Sequence, residues 1–118
     1  MIKNNNYNLE DRTAKFGENI IEFCKSIKQD AINKPLISQL IRSSTSIGAN
    51  YMEANAASSK QDFKNKIFIC KKESQETKHW LRMMAKSSPE KTPEIRKLWK
   101  ECQELTLIFG KIVSSLRK

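Results

Sequence analysis

The 118-residue sequence is poor in the residues that tight turns require. It contains 3 glycines and 3 prolines, and it has no Asn-Gly or Asp-Gly pair. Strand hairpins depend on such residues, so their scarcity argues against an all-β fold and favours helices. A chain of this length fits one domain around a single modest hydrophobic core, and we place that domain over residues 1–118.

Cysteine and histidine are too few and too scattered for most metal sites. The three cysteines, Cys24, Cys70 and Cys102, lie far apart and form no Cys-x-x-Cys pair, so neither a zinc site nor a disulfide framework is indicated. We expect reduced thiols packed in the core. Glu76 and His79 have the Glu-x-x-His spacing of di-iron bundles, but the motif occurs once and His79 is the single histidine.

Motifs for other enzyme classes are also missing. There is no glycine-rich phosphate loop, and the serines among residues 43–46 have no histidine or lysine in register to activate them. Glu73 and Glu76 lie one helical turn apart and could form a catalytic carboxylate pair, but the nearby lysines favour ion pairing. We therefore expect a non-enzymatic protein that uses no cofactor, no metal and no small-molecule substrate.

No long apolar run is present either. A membrane-spanning helix needs about 18 consecutive apolar residues, and residues 1–8 lack the apolar core of a signal peptide. We expect a cytoplasmic protein without membrane contact, whose first residues form a short lead-in to the first helix.

Apolar residues recur at steps of three and four along four stretches, which is the pattern of amphipathic helices. Asn33, Ser59 and Thr92 are suitable caps for the starts of the last three. The pattern predicts helices over about residues 8–30, 34–57, 60–86 and 93–116. Three short connections between four helices of similar length predict an all-α, antiparallel, up-down-up-down four-helix bundle.

The predicted second helix carries an unusual run, Arg42–Ala54, built largely from small and hydroxylated residues. Such residues are mediocre helix formers, so we interpret the run as a close helix contact. Helical spacing places Ser44, Ile47, Gly48 and Tyr51 toward the bundle core. A second stripe lies on another side and consists of Arg42, Ser46, Ala49, Asn50 and Glu53. We expect it to pack against protein, with Arg42, Asn50 and Glu53 paired by hydrogen bonds or an ion pair.

Apolar residues outside the predicted seams indicate a second contact surface. The seam of the third predicted helix is Phe63, Ile67, Cys70, Ser74, Thr77, Leu81 and Met84. That of the fourth is Ile95, Leu98, Cys102, Leu105, Phe109, Ile112 and Leu116, widened on one side by Trp99 and Val113. Ile69 and Trp80 fall to one side of the third seam, and Leu107 and Ile108 fall outside the fourth. Together with the polar stripe of the second helix, we interpret these four residues as a subunit interface of a homo-oligomer.

The formal net charge of +9 is unevenly distributed. Residues 58–118 carry 15 basic and 7 acidic side chains, whereas residues 1–57 carry 7 and 6. The basic residues align in two sets, Lys60, Lys64, Lys71, Lys78 and Arg82 on the third helix, and Arg96, Lys97, Lys100 and Lys111 on the fourth. These rows either meet the phosphates of a nucleic acid or form a solvated flank of the bundle. No helix-turn-helix, zinc-finger or RNA-binding sheet motif is present, so binding would be electrostatic and salt-dependent.

Several motifs in order resemble one known family. Segments 8–13, 42–50 with Glu53 and Ala54, 60–63 and 72–81 are similar to the S23-type four-helix bundle proteins named for intervening sequences of bacterial 23S rRNA genes. That family includes the accessory variability determinant proteins of diversity-generating retroelements. The resemblance implies a bacterial, cytosolic, ring-like homopentamer with a basic surface, and Arg42, Ser46, Asn50 and Glu53 match its motif positions.

Two functional hypotheses follow from these observations. The first is a homo-oligomeric bundle that binds nucleic acid, with structured RNA as the favoured ligand, through the basic surface of helices three and four. The alternative is a protein-interaction scaffold that acts as an accessory subunit of a retroelement reverse transcriptase, as in the retroelement branch that the resemblance implies. No residue assigns the chain to one branch.

Overall fold

The computed structural model describes residues 5–117, with side chains from Leu9 onward, and this part of the chain contains helices and no strand. Within it, four α-helices follow one another: α1 (Asn5–Lys25), α2 (Asn33–Asn55), α3 (Lys60–Ser87) and α4 (Thr92–Leu116). A single 3₁₀ turn, Pro89–Lys91, precedes α4. The predicted all-α class is confirmed.

Neighbouring helices run antiparallel, as the pairing between α2 and α3 shows. Arg42, early in α2, contacts Glu76 in the second half of α3, whereas Glu53, late in α2, contacts Lys66 near the start of α3. The same reversal of order places Thr13 beside Gly48 and Gly17 beside Thr45 in α1 and α2, and Lys78 beside Gln103 and Phe68 beside Arg117 in α3 and α4. The helices pack as the predicted four-helix bundle.

The core consists of the apolar seams that the periodicity predicts. The Tyr51 and Phe109 rings lie with centroids 6.1 Å apart in its centre. The largest fully buried side chains include Phe16 and Ile20 of α1, Leu40, Ile47 and Tyr51 of α2, Ile67 and Leu81 of α3, and Leu105 and Phe109 of α4. Trp99 is different, because periodicity places it beside the α4 seam while the structure leaves it 41% exposed.

The three cysteines are free and buried, as expected. Burial raises the pKa of Cys24 to about 11 and that of Cys70 and Cys102 to about 12. The Cys102 thiol donates a hydrogen bond to the Ser74 carbonyl at 3.1 Å. These thiols are protonated core side chains at neutral pH.

The first helix ends at Lys25, five residues before the predicted boundary. The Ser26 hydroxyl donates to the Phe23 carbonyl at 2.6 Å, and the Ile27 N–H bonds the carbonyl of Cys24, three residues back, which tightens and terminates the last turn. Ile27 is nevertheless buried. The apolar pattern therefore continues past the end of the helix, which explains why periodicity overestimates its length.

Two of the three predicted caps are wrong. Asn33 is buried and donates to the Lys28 carbonyl at 3.0 Å. The N-cap position is Ile32, and the Asp30 carboxylate two residues before it accepts the backbone N–H of Asn33 at 2.7 Å. Thr92 is already helical, and its hydroxyl donates to the Pro89 carbonyl. Ser59 does cap α3, because its Oγ accepts the Asp62 N–H at 3.0 Å.

Candidate nucleic-acid interface

The predicted lysine row of α3 follows the line where α3 meets α4. The Lys78 ammonium donates to Gln103 Oε1 of α4 at 2.5 Å and lies 5.4 Å from the centroid of the Trp99 ring. A Cβ on Gly110 of α4 would lie 3.9 Å from Lys71 Cε. Because Lys60, Lys64 and Arg82 occupy the same helical face as these two lysines, the row borders α4 along most of α3.

The α4 candidates divide between two faces. Arg96 lines a cavity together with Arg82 of α3. Lys100 and Lys111 are exposed and follow Arg96 on the outer face of α4. Lys97 instead lines a groove between α1 and α4. That groove also contains Phe16, Phe23, Leu98 and the acidic residues Glu22, Glu94 and Glu101.

We refer to the residues that the structure brings together as the α3–α4 basic surface. It comprises Lys60, Lys64, Lys71, Lys78, Arg82, Arg96, Lys100 and Lys111. Among residues 9–117, none of these side chains takes part in an ion pair, whereas Arg12, Arg42 and Lys66 are all paired with carboxylates elsewhere on the bundle. The α3–α4 basic surface therefore keeps its charge available to an external anion.

The predicted interface residues on α2 are paired, but their partners belong to the same chain. Arg42 bonds Glu73 at 3.2 Å and also Glu76, both on α3. Asn50 donates to the backbone and hydroxyl oxygens of Ser46, each at 2.9 Å. Arg42 thus ties α2 to α3, whereas Asn50 and Ser46 pair within α2.

The last two members of the stripe lie differently. Glu53 bonds Lys66 of α3 at 2.8 Å. Ala49 is exposed and lines a small-residue groove between α1 and α2. A contact of this stripe with a second subunit stays a prediction.

Electrostatics reinforce these intrachain pairs. For Arg42, burial lowers the pKa, but the hydrogen bonds and charges of Glu73 and Glu76 outweigh it and raise the pKa. The hydrogen bond to Glu53 raises the pKa of Lys66. Both cations therefore stay charged and committed to their carboxylates across the physiological pH range.

The four apolar interface candidates lie in different environments. Leu107 is 62% exposed on α4. Trp80 and Ile108 are half-buried and pack against the core of their own bundle. Ile69 is half-buried and shares with Trp80 the side of α3 that carries Glu73. Of the four, Leu107 presents the largest free apolar surface.

Residues considered for catalysis or metal binding are otherwise engaged. Glu73 and Glu76 are ion-paired as expected, but their partner is Arg42 of α2 and not a nearby lysine. The buried Ser43 hydroxyl accepts a hydrogen bond from Thr77. His79 lies at the surface against Trp80, with ring centroids 4.9 Å apart. In the described part of the chain, no cluster of three His, Cys, Asp or Glu side chains could hold a metal ion. None of the helices there combines the length and apolar character needed to cross a bilayer.

Comparison with known proteins agrees with this architecture. The family model for the 23S rRNA-intervening sequence protein matches residues 5–111. A crystal structure of a protein of unknown function from the S23 ribosomal protein family of Bacteroides thetaiotaomicron superposes with a TM-score of 0.79 at 29% sequence identity, covering 88% of this chain and 96% of that one. Among curated proteins, none matches the sequence. The chain belongs to the family of 23S rRNA-intervening sequence proteins.

Proposed function

We propose that this protein is a non-enzymatic nucleic-acid-binding bundle that favours structured RNA and binds it through the α3–α4 basic surface. The observation that carries the proposal is the set of eight cations on one side of the bundle that have no carboxylate partner among residues 9–117. By neutralising phosphates, these side chains would release the counterions condensed on the nucleic acid, which supplies free energy of binding. The family name links its members to intervening sequences in 23S rRNA, so RNA is the first polyanion to test.

The length of the surface favours a structured ligand. Lys60 and Arg82 are separated by 22 residues of α3, which corresponds to roughly 33 Å along the helix axis. That length spans many phosphates of a duplex, since B-form DNA carries one charge for about every 1.7 Å of helix axis. A straight row of cations on a rigid helix can therefore contact phosphates along one side of a folded RNA without reading its sequence.

A salt-dependent binding titration tests this function. We would measure filter binding of an RNA hairpin and a DNA duplex at 50 and 200 mM salt. Salt dependence is measured as the slope of the logarithm of the binding constant against the logarithm of the salt concentration. The double variant Lys64→Gln/Lys71→Gln should lower the magnitude of this salt slope by roughly two, since each lost phosphate contact lowers it by about one. The control Lys15→Gln/Lys28→Gln removes two exposed charges from the α1 side of the bundle and should have little effect.

Two results would overturn the proposal. One is the absence of binding to either nucleic acid at low salt. The other is an equal loss of affinity in the two double variants, which would show that total charge matters and that the position of the cations does not.

We also propose that the protein is a homo-oligomer, for which the resemblance implies five subunits. The exposed Leu107 and Met52 side chains and the Ala49 groove support a further contact surface. Light scattering should give a multiple of the 13.7 kDa chain mass, and Leu107→Lys should reduce it. A monomer mass at micromolar concentration would contradict the oligomer.

A further inference from the structure

A cavity of about 350 Å³ lies where the end of α3 meets the start of α4. Its volume is at the lower end of the range of small-molecule sites, roughly 300–1,000 Å³. The floor is apolar and includes the buried Ile95. The lining residues are Arg82, Ala85, Thr92, Ile95, Arg96 and Trp99. The cavity therefore combines an apolar base, an aromatic ring and two guanidinium groups contributed by different helices.

Trp99 is an unusual residue for this position. Its indole is 41% exposed, although an aromatic side chain of this size gains most free energy when it is buried. The Lys78 ammonium lies 5.4 Å from the ring centroid and is held there by Gln103. The ring thus forms an accessible aromatic surface in a positively charged environment.

The two arginines of the cavity have no carboxylate partner within the described residues. Arg12 and Arg42, in contrast, are each bonded to two carboxylates and connect helices of the bundle. Arg82 and Arg96 make no such connection. Their planar guanidinium groups are suited to bidentate bonds with phosphate.

We propose that this cavity binds one unpaired nucleotide of a nucleic-acid strand, whose base stacks on Trp99 while its flanking phosphates bond Arg82 and Arg96. Bases stack on exposed aromatic side chains in many single-strand sites, and the interaction tolerates any base because each has a π-face. The proposal rests on the proposed nucleic-acid function and deepens it. The protein would hold folded RNA along α3 and an extruded or single-stranded nucleotide at Trp99.

Continuity of charge favours a nucleotide over an acidic peptide. Lys78 and Arg82 belong both to the cavity region and to the α3–α4 basic surface, so a strand lying along that surface would deliver its phosphates to the cavity. A peptide would need carboxylates at both arginines and would leave the remaining cations of the surface without a partner.

Tryptophan fluorescence provides a direct test, because the chain has 2 tryptophans. In Trp80→Phe, Trp99 is the sole tryptophan. We would titrate this variant with a single-stranded RNA octamer of adenines and with an octamer of the same length in which every base is absent. The intact strand should quench Trp99 fluorescence, and the abasic strand should bind roughly 5- to 150-fold more weakly.

Variants of Trp99 give a second readout. Trp99→Leu should lose a similar factor for the intact strand and keep its affinity for an RNA duplex, whereas Trp99→Phe should retain most of the affinity. Circular dichroism would establish that each variant is folded. The comparison of intact and abasic strands needs no change at Trp99. It therefore tests whether a base stacks on Trp99 even if Trp99→Leu does not fold.

The outcomes separate this site from the general function. Equal affinity for intact and abasic strands, with duplex binding preserved, would overturn the nucleotide site and leave the proposed function standing. Absence of binding to every nucleic acid at low salt would overturn both. Tighter binding of a glutamate-rich peptide than of the RNA octamer, with the same quenching, would also overturn the nucleotide site.

Discussion

Replacing Arg42 by methionine should destabilise the bundle more than the same replacement at Arg12. Each guanidinium contacts two carboxylates on another helix. The carboxylates differ in burial, since the Glu73 side chain is 10% exposed and that of Glu101 is 33% exposed. Removing Arg42 would leave Glu73 buried without its cation, whereas water can solvate the partners of Arg12.

The expected size of the difference follows from this burial. Removing one partner of a fully buried ion pair costs about 3–5 kcal/mol, and removing one from an exposed pair costs about 0–1 kcal/mol. Arg42 is itself 46% exposed, so some water already reaches the pair and the full buried cost does not apply. We expect a loss of about 2 kcal/mol for Arg42→Met and about 1 kcal/mol or less for Arg12→Met.

Urea denaturation of both variants would measure these losses. A third variant, Arg42→Met/Glu73→Gln, should recover much of the stability because a neutral amide replaces the unpaired carboxylate. Each titration is run at two protein concentrations, since assembly would make apparent stability concentration-dependent. An equal or larger loss for Arg12→Met would refute the reasoning. It would show that the short 2.6 and 2.7 Å bonds of Arg12 to Glu101 matter more than burial.

The remaining predictions concern the interior. Gly17→Ala should raise the melting temperature, because the new Cβ meets its neighbours at an ordinary 3.6 Å and alanine gains up to about 1 kcal/mol in a helix. Gly48→Leu should lower it, because a Cβ there already meets Thr13 at 3.4 Å; the reverse order would contradict the packing. Trp80→Phe should change the free energy of unfolding little, because it removes a buried indole N–H without a described partner along with some apolar area; a loss above about 3 kcal/mol would refute this. Buried thiols should resist alkylation at pH 8 until the protein unfolds. Stability should fall as pH rises from 9 toward 11, because folded Cys24 keeps a proton that the unfolded chain releases; titration of unfolding against pH would check this sign.

The core could be predicted from sequence because the spacing of apolar residues identifies the buried face of each helix. Periodicity correctly places Ile20, Ile47, Leu81 and Phe109 inside. It fails at Ile27, which is buried outside a helix, because burial of a connecting segment produces the same apolar signal.

The residue that a polar side chain pairs with is harder to predict from sequence than the helix face on which that side chain lies. Helical spacing shows that Arg42 and Glu53 share a face that is not solvated in the usual way, and the structure confirms that both are paired. Spacing on one helix does not show which helix faces it, and the partners are on α3 of the same chain. Sequence spacing likewise predicts one basic row that contains both Arg96 and Lys97. The two residues differ by about 100° around α4, and that rotation places Lys97 in the groove between α1 and α4 that also contains acidic side chains.

Gln103 helps to distinguish a phosphate-binding surface from a row of cations that contacts only water. Its side chain is neutral, so it holds Lys78 without cancelling the charge of that residue. Within residues 9–117, one other α3 cation has a described polar partner on a neighbouring helix: Lys66, which Glu53 neutralises. Lys78 instead bonds an amide oxygen and keeps its charge. Gln103→Glu preserves the shape and should strengthen the contact with Lys78. If the α3–α4 basic surface binds phosphates, this change should weaken RNA binding and lower the salt slope by about one, with no loss of stability. If a stable Gln103→Glu variant bound RNA with unchanged affinity, the charge of Lys78 would not contact RNA phosphates and would interact only with water.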